Sequence, residues 1–147
     1  MTGSMNDESL TIDVDDGGAI VVHEYMAHAA SVRHLFQSDA LLMVVDDFKG
    51  NEEIVPGKVY EYIGSGRPVI TLAPEGAVTR VIEETASGRC ARSQDIDGIA
   101  DIFLDFYRQW DAGTLGTGQK RADVAQFERR EVTRRLAALL DEITGSP

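Results

Sequence analysis

A single cysteine, Cys90, leaves this chain unable to build an internal disulfide or a cysteine-based metal cluster. A lone thiol of this kind reads as a small buried hydrophobe. Basic residues are also scarce, with 14 Lys and Arg against 25 Asp and Glu for a net charge of −11. Such a field repels nucleic acid and anionic lipid, so no nucleic-acid partner is expected. Long apolar runs are missing too. Nothing approaches the roughly 20 residues that cross a bilayer, so no transmembrane segment is expected. The polar start Met1-Thr2-Gly3-Ser4 lacks a signal peptide's apolar stretch, and the expected location is cytoplasmic. His23, His28 and His34 are the three histidines, and their spacing places no two on one helix face as ligands. No metal site is expected, and neither repeats nor low-complexity segments occur.

What is present is the composition of one water-soluble domain: 147 residues, 43% apolar and 27% charged. Residues 1–18 form a polar, acidic lead-in that carries Asp7, Glu8, Asp13, Asp15 and Asp16 and ends in Gly17-Gly18. Within it, residues 10–14 alternate apolar and polar side chains in the manner of an edge strand. Residues 19–147 are expected to form the domain proper. Apolar runs at 19–22, 40–45 and 69–72 read as strands, the one at 40–45 buried on both sides, and Arg89 to Arg92 reads as a fourth, shorter strand. Segments of helical period lie between them. Tyr25, Ala29, Val32 and Phe36 share one helix face, Val59, Tyr62 and Ile63 mark a short helix closed by Gly64 and Gly66, and Val78, Val81 and Ile82 mark another. Ile99, Ile102, Phe103, Phe106, Tyr107 and Trp110 show the clearest period, with N-cap candidates at Asp95 and Asp97 and aromatics expected in the core. After a glycine- and threonine-rich link at 113–118, a last helix is expected over 122–143 with Val132, Leu136, Leu139, Leu140 and Ile143 on its apolar stripe. Strands alternating with helices predict a three-layer α/β/α Rossmann-like domain with a parallel sheet.

In such a sheet, ligands bind beyond the carboxyl ends of the strands, which directs attention to residues 46–62. Pro56 and Gly57 suit a helix start, where unpaired N–H groups and the positive dipole end favour phosphate. Lys58 adds a mobile cation. Glu61, one turn into the helix, suits a pair of vicinal hydroxyls better than it suits phosphate. The expected ligand is therefore a phosphate ester carrying sugar. Glu53 lies in an acidic loop with Asp46, Asp47 and Glu52. The plainer alternatives are a solvated Glu53 and a surface Glu61 paired to Lys58 three residues earlier.

The stretch PGKVYEYIGSGRPVI, preceded by Glu53 and followed after a further helix by SGRCARSQDIDGIADIF, resembles the carboxyl-terminal half of glycosyltransferases of the two-domain GT-B class. It is similar in particular to the retaining family 4 and its group-1 relatives. Glu53, Glu61 and Ser65-Gly66-Arg67-Pro68-Val69 match their E-x₇-E signature and the turn that follows it, while Ile54-Val55-Pro56-Gly57-Lys58 stands where many of them carry a glycine- and phenylalanine-containing turn. The resemblance spans roughly residues 20 to 143. It implies that Glu61 holds the ribose hydroxyls of a nucleotide and that Glu53, with Gly57, meets the sugar to be transferred. The backbone around Gly57, Lys58 and Val59 would cradle the diphosphate. The implied activity is transfer of a hexosyl unit from a nucleoside diphosphate sugar, with no cofactor beyond that donor and no catalytic residue assigned in this half. The implied partner is an N-terminal acceptor domain that this chain lacks, so that the fragment alone would be inactive.

Two rival readings bear on the same residues. A phosphorelay receiver would explain the apolar strand ending in Asp46-Asp47, but the stretch between Asp46 and Pro68 holds no strand for its third aspartate. A non-catalytic nucleotide-sugar-binding or assembly module would keep the same fold and pocket. The last helix adds an expectation of its own. Six basic residues, Lys120, Arg121, Arg129, Arg130, Arg134 and Arg135, face five acids, Asp123, Glu128, Glu131, Asp141 and Glu142, in and just before it. It reads either as a salt-laced helix on its own sheet or as the contact of a homodimer through Phe127, Val132 or Leu136.

Overall fold

A computed structural model of the chain describes residues 21, 23, 25–116 and 124–145. The acidic lead-in, including residues 10–14, lies outside the described residues, as does the strand expected at 19–22 except for Val21, which is exposed and not in a strand. Eight elements carry the architecture: α1 (His28–Gln37), β1 (Leu41–Val44), α2 (Lys58–Ser65), β2 (Val69–Leu72), α3 (Ala77–Glu84), β3 (Gly88–Ala91), α4 (Ile96–Asp111) and α5 (Arg129–Thr144). The three strands pair in parallel in the order β1-β2-β3, with Leu41 opposite Val69 and Val69 opposite Gly88. Helical connections between parallel neighbours are what this topology demands. Among the described residues the protein is thus an α/β fold with a three-stranded parallel sheet.

Period-two alternation divides the core. Met43, Val45, Val69 and Ala73 point to one face, where Val59 and Ile63 of α2 and Val78 and Ile82 of α3 seal them. Ile70 points to the other face and meets Ile102 and Phe106 of α4, with Leu72 and Ala91 at the margin. Helix α2 ends at Gly66, whose φ of 78° is the left-handed conformation that terminates helices at small cost when the residue is glycine. The Asp95 side chain accepts the Gly98 N–H at 3.0 Å and starts α4. Gly88 lies so close to β2 that a Cβ there would run into the Val69 carbonyl.

Four expectations change. Strand β1 is buried on one face only, because Leu42 and Val44 remain about half exposed where α4, packed over β2 and β3, does not reach. Of the aromatics on α4 only Phe106 is buried. Phe103, Tyr107 and Trp110 stay about half exposed at the margin of the contact, where they line an open depression with Ala40 and Ile70. The helix expected from Tyr25 to Phe36 begins only at His28, so Tyr25 lies before α1, and of its expected face Val32 is half-buried while Ala29 and Phe36 are exposed. The last helix is interrupted: a short 3-10 turn (Val124–Phe127) precedes α5, and Glu128 between them has extended backbone, φ −63° and ψ 136°. Phe127 fixes the break by packing on the core and on the Tyr60 ring, 5.5 Å away between centroids. Residues 122 and 123 of the expected helix lie outside the described residues.

Candidate functional site

The chain leaves the carboxyl end of β1 through a loop that its own polar groups hold. Buried Asn51 donates from Nδ2 to the Asp46 carbonyl at 2.8 Å, and the Gly50 N–H donates to Glu52 Oε2 at 2.7 Å. Gly50 adopts φ 99°, a conformation that favours glycine, and leads into a 3-10 turn at Asn51–Glu53. The backbone of this turn lies against the start of α3. A Cβ on Gly76 would collide with the Glu52 carbonyl oxygen, so glycine is needed for the two segments to touch. Thr79 closes the other side, its hydroxyl accepting the Gly76 N–H at 3.0 Å. Glu53 ends the turn with an exposed side chain that has no hydrogen bond or ion pair among the described residues.

Helix α2 then begins at Gly57, whose backbone is already helical and faces open space, with nothing within 4 Å of where a Cβ would lie. The first turn is tight: Val59 N–H donates to Pro56 O at 3.0 Å and Tyr60 N–H to Gly57 O at 3.3 Å. Val59 itself is fully buried, so only its backbone belongs to the surface question and its side chain serves the core. Lys58 is exposed.

Glu61 lines a cleft of about 570 Å³ together with Gly57, Tyr60, Phe127, Arg129 and Val132. One wall is the first turn of α2, and the other is the start of α5 with the 3-10 turn before it. The ion pair to Lys58, the plainer alternative for Glu61, is not found among the described residues. Glu61 Oε1 instead lies 3.8 Å from His28 Nε2 of α1, an attraction that operates only while the imidazole carries a proton. Burial, and then the charge of Glu61, push the neighbouring Tyr62 phenol above its ordinary value. Glu53 is not among the residues of this cleft. The tertiary structure thus brings Gly57 and Glu61 together with His28 and Arg129, and it leaves Glu53 on the turn that meets α3.

His28, Tyr60 and Arg129 are the residues that sequence reasoning missed here. Arg129 belongs to an element some 70 positions away, and no local pattern signals that Phe127 returns the chain to Tyr60. The cleft therefore presents a carboxylate, a guanidinium, a helix start and two aromatic rings. Glu61 can accept hydrogen bonds from hydroxyls, and Arg129 with the helix start can hold negative charge.

A second depression, about 300 Å³, opens at the carboxyl ends of β2 and β3 beside Glu75, Thr79, Glu83, Cys90, Arg92 and Asp95. Burial, and then Glu83, push the Cys90 thiol up to about 11, with the Thr71 hydroxyl offsetting a part. The thiol stays protonated at neutral pH and is a poor nucleophile. With three carboxylates on its wall, this depression suits an anion less well than the α2 cleft does. Among the described residues no group of three His, Cys, Asp or Glu comes together as a metal site, and no helix is long and apolar enough to cross a membrane. No protein-family model, curated protein or solved structure matches the chain.

Proposed function

We propose that this chain is the donor-binding half of a retaining glycosyltransferase of the GT-B class, group-1 or family 4 type, with a Rossmann-like fold. In the intact enzyme a nucleoside diphosphate sugar gives up its hexosyl unit to an acceptor held by a second domain, with retention of anomeric configuration and without an obligate metal. One observation carries the reading: the motif residues Gly57 and Glu61 lie at the start of the helix that follows β1, in a cleft that Arg129 enters from the opposite wall. The start of that helix follows the carboxyl end of β1, the end of the sheet at which open parallel sheets bind ligands.

In this reading Glu61 accepts hydrogen bonds from the ribose hydroxyls, in place of its loose attraction to His28. The open backbone at Gly57 lets a diphosphate approach the start of α2, where Lys58 and Arg129 balance its charge as the leaving group departs. Glu53 addresses the hydroxyls of the sugar from the neighbouring turn.

The test is calorimetric titration of the chain with uridine- and guanosine-diphosphate sugars. Binding of one of them is expected, with Glu61→Ala weakening it by about 1–3 kcal/mol, the scale of a lost charge-assisted hydrogen bond. Lys58→Ala and Arg129→Ala should weaken it less, and less again in high salt. Affinity unchanged by Glu61→Ala would return that residue to a surface role.

A further inference from the structure

Helix α5 has an apolar stripe of which the nucleotide-sugar cleft uses only the first residue, Val132. Val132, Leu136, Leu139 and Ile143 recur at steps of four, three and four, the seam of a two-helix coiled coil, and each is at least half exposed. No residue of the helix is buried. Its charges are sorted along its length. Arg129, Arg130, Arg134 and Arg135 against Glu131 give the first half 4 − 1 = +3, while Asp141 and Glu142 give the second half −2. This order opposes the helix dipole, which favours acids at the start and bases at the end. The last turn has no basic residue at all.

We propose that α5 is a self-association surface, and that its occupant is α5 of a second copy of this chain, packed antiparallel. A parallel copy would set base beside base and acid beside acid. An antiparallel copy lays the acidic half, and the negative end of its dipole, along the basic half of its neighbour. With Val132 facing the second copy's Ile143 and Leu136 facing the second copy's Leu139, Arg135 of each chain falls beside Glu142 of the other, on the flank of the seam. Four such layers bury much less than a standard interface, so the association is weak and concentration-dependent.

Sedimentation equilibrium of the whole chain over a range of concentrations tests this. The expected mass rises from 16.0 kDa toward twice that value. The double variant Leu136→Glu, Leu139→Glu should keep the single-chain mass throughout, with its unfolding transition unmoved because neither side chain is buried. Arg135→Glu and Glu142→Arg should each weaken association by about tenfold, and together restore it. Arg135→Glu also removes the intrahelical pair to Glu131, 3.0 Å away, whereas Glu142→Arg leaves that pair in place and improves the helix's own dipole balance, so weaker association from Glu142→Arg reports the intermolecular pair and not helix stability. A single-chain mass up to about 1 mM overturns the proposal. So does a dimer indifferent to both charge reversals, which would be parallel or formed elsewhere.

Discussion

Helices α4 and α5 each run for 16 residues with an apolar stripe, but α4 buries Ile102 and Phe106 against the sheet whereas α5 buries nothing. Their connections differ. A short turn after β3 delivers α4 directly over the sheet face that Ile70 presents, and the Asp95 carboxylate caps its first turn. By contrast, α5 follows a longer excursion and is held to the domain near its start, where Phe127 meets Tyr60 and the core. Its N-cap, Glu128, makes no side-chain capping bond. The comparison teaches that an apolar stripe states how much contact a helix can make, while the connection before it decides whether a surface lies within reach. The same lesson applies within the sheet: β2 is covered on both faces, and β1, one strand away, exposes Leu42 and Val44.

The largest test of this contrast is truncation on each helix. Phe106→Ala should cost about 3–5 kcal/mol, the range for an aromatic removed from a packed site. Leu140→Ala should stay within about 0.5 kcal/mol in dilute protein, as surface substitutions do. Denaturant unfolding of the two variants decides it, and comparable losses would mean that α5 docks on the domain in solution. A smaller test exchanges the caps. Asp95→Ala should lower stability by about 1 kcal/mol, whereas Glu128→Ser should raise the helical content of α5 by supplying the cap it lacks. Circular dichroism showing no gain from Glu128→Ser would indicate that another group already serves its first turn.

The smallest effect concerns pH. Hydrogen bonds from Arg134 and then Arg135, 2.7 and 3.0 Å from the Glu131 carboxylate, hold its carboxyl down at about 2 from an ordinary 4.5. A depressed folded value means that this support for α5 is complete above about 4.5 and disappears as the pH falls through about 2. The group is partly exposed, so salt should screen much of it. A carbon-detected titration of Glu131 should show a midpoint near 2 in low salt that rises with added salt. A midpoint near 4.5 at low salt would show that the arginine pairs do not persist in solution.

Much of the fold was legible because it rests on local periodicity. The strand at Val69–Leu72 has the expected bounds, the helices around Val59, Val78 and Ile102 lie where their apolar spacing places them, and Gly66 and Asp95 act as the stop and start that their chemistry suggests. The run at 40–45 misled, because six apolar residues say that a strand is apolar without saying that each face has a neighbour. The aromatic series on α4 misled for the related reason that a helix wider in apolar residues than its contact must leave some outside. At the candidate site, Gly57 and Glu61 were visible as a pair within one short segment. His28 and Arg129 were not, since His28 meets Glu61, and Arg129 enters the cleft, only through packing between elements distant in sequence.

Local chemistry decided most of the strand and helix segments, the break before α5 excepted, and with them where α2 stops and α4 starts and that Gly57 and Glu61 stand at a helix start. These outcomes depend on side-chain period, φ preference and hydrogen bonding among residues a few positions apart. Packing alone decided that β1 is covered on one face, that Glu61 faces His28 instead of Lys58, that Arg129 joins the cleft, and that α5 stands clear of the sheet. Each of these depends on which surfaces the chain brings together across long separations, and burial is a property of the two surfaces that meet, not of either segment by itself.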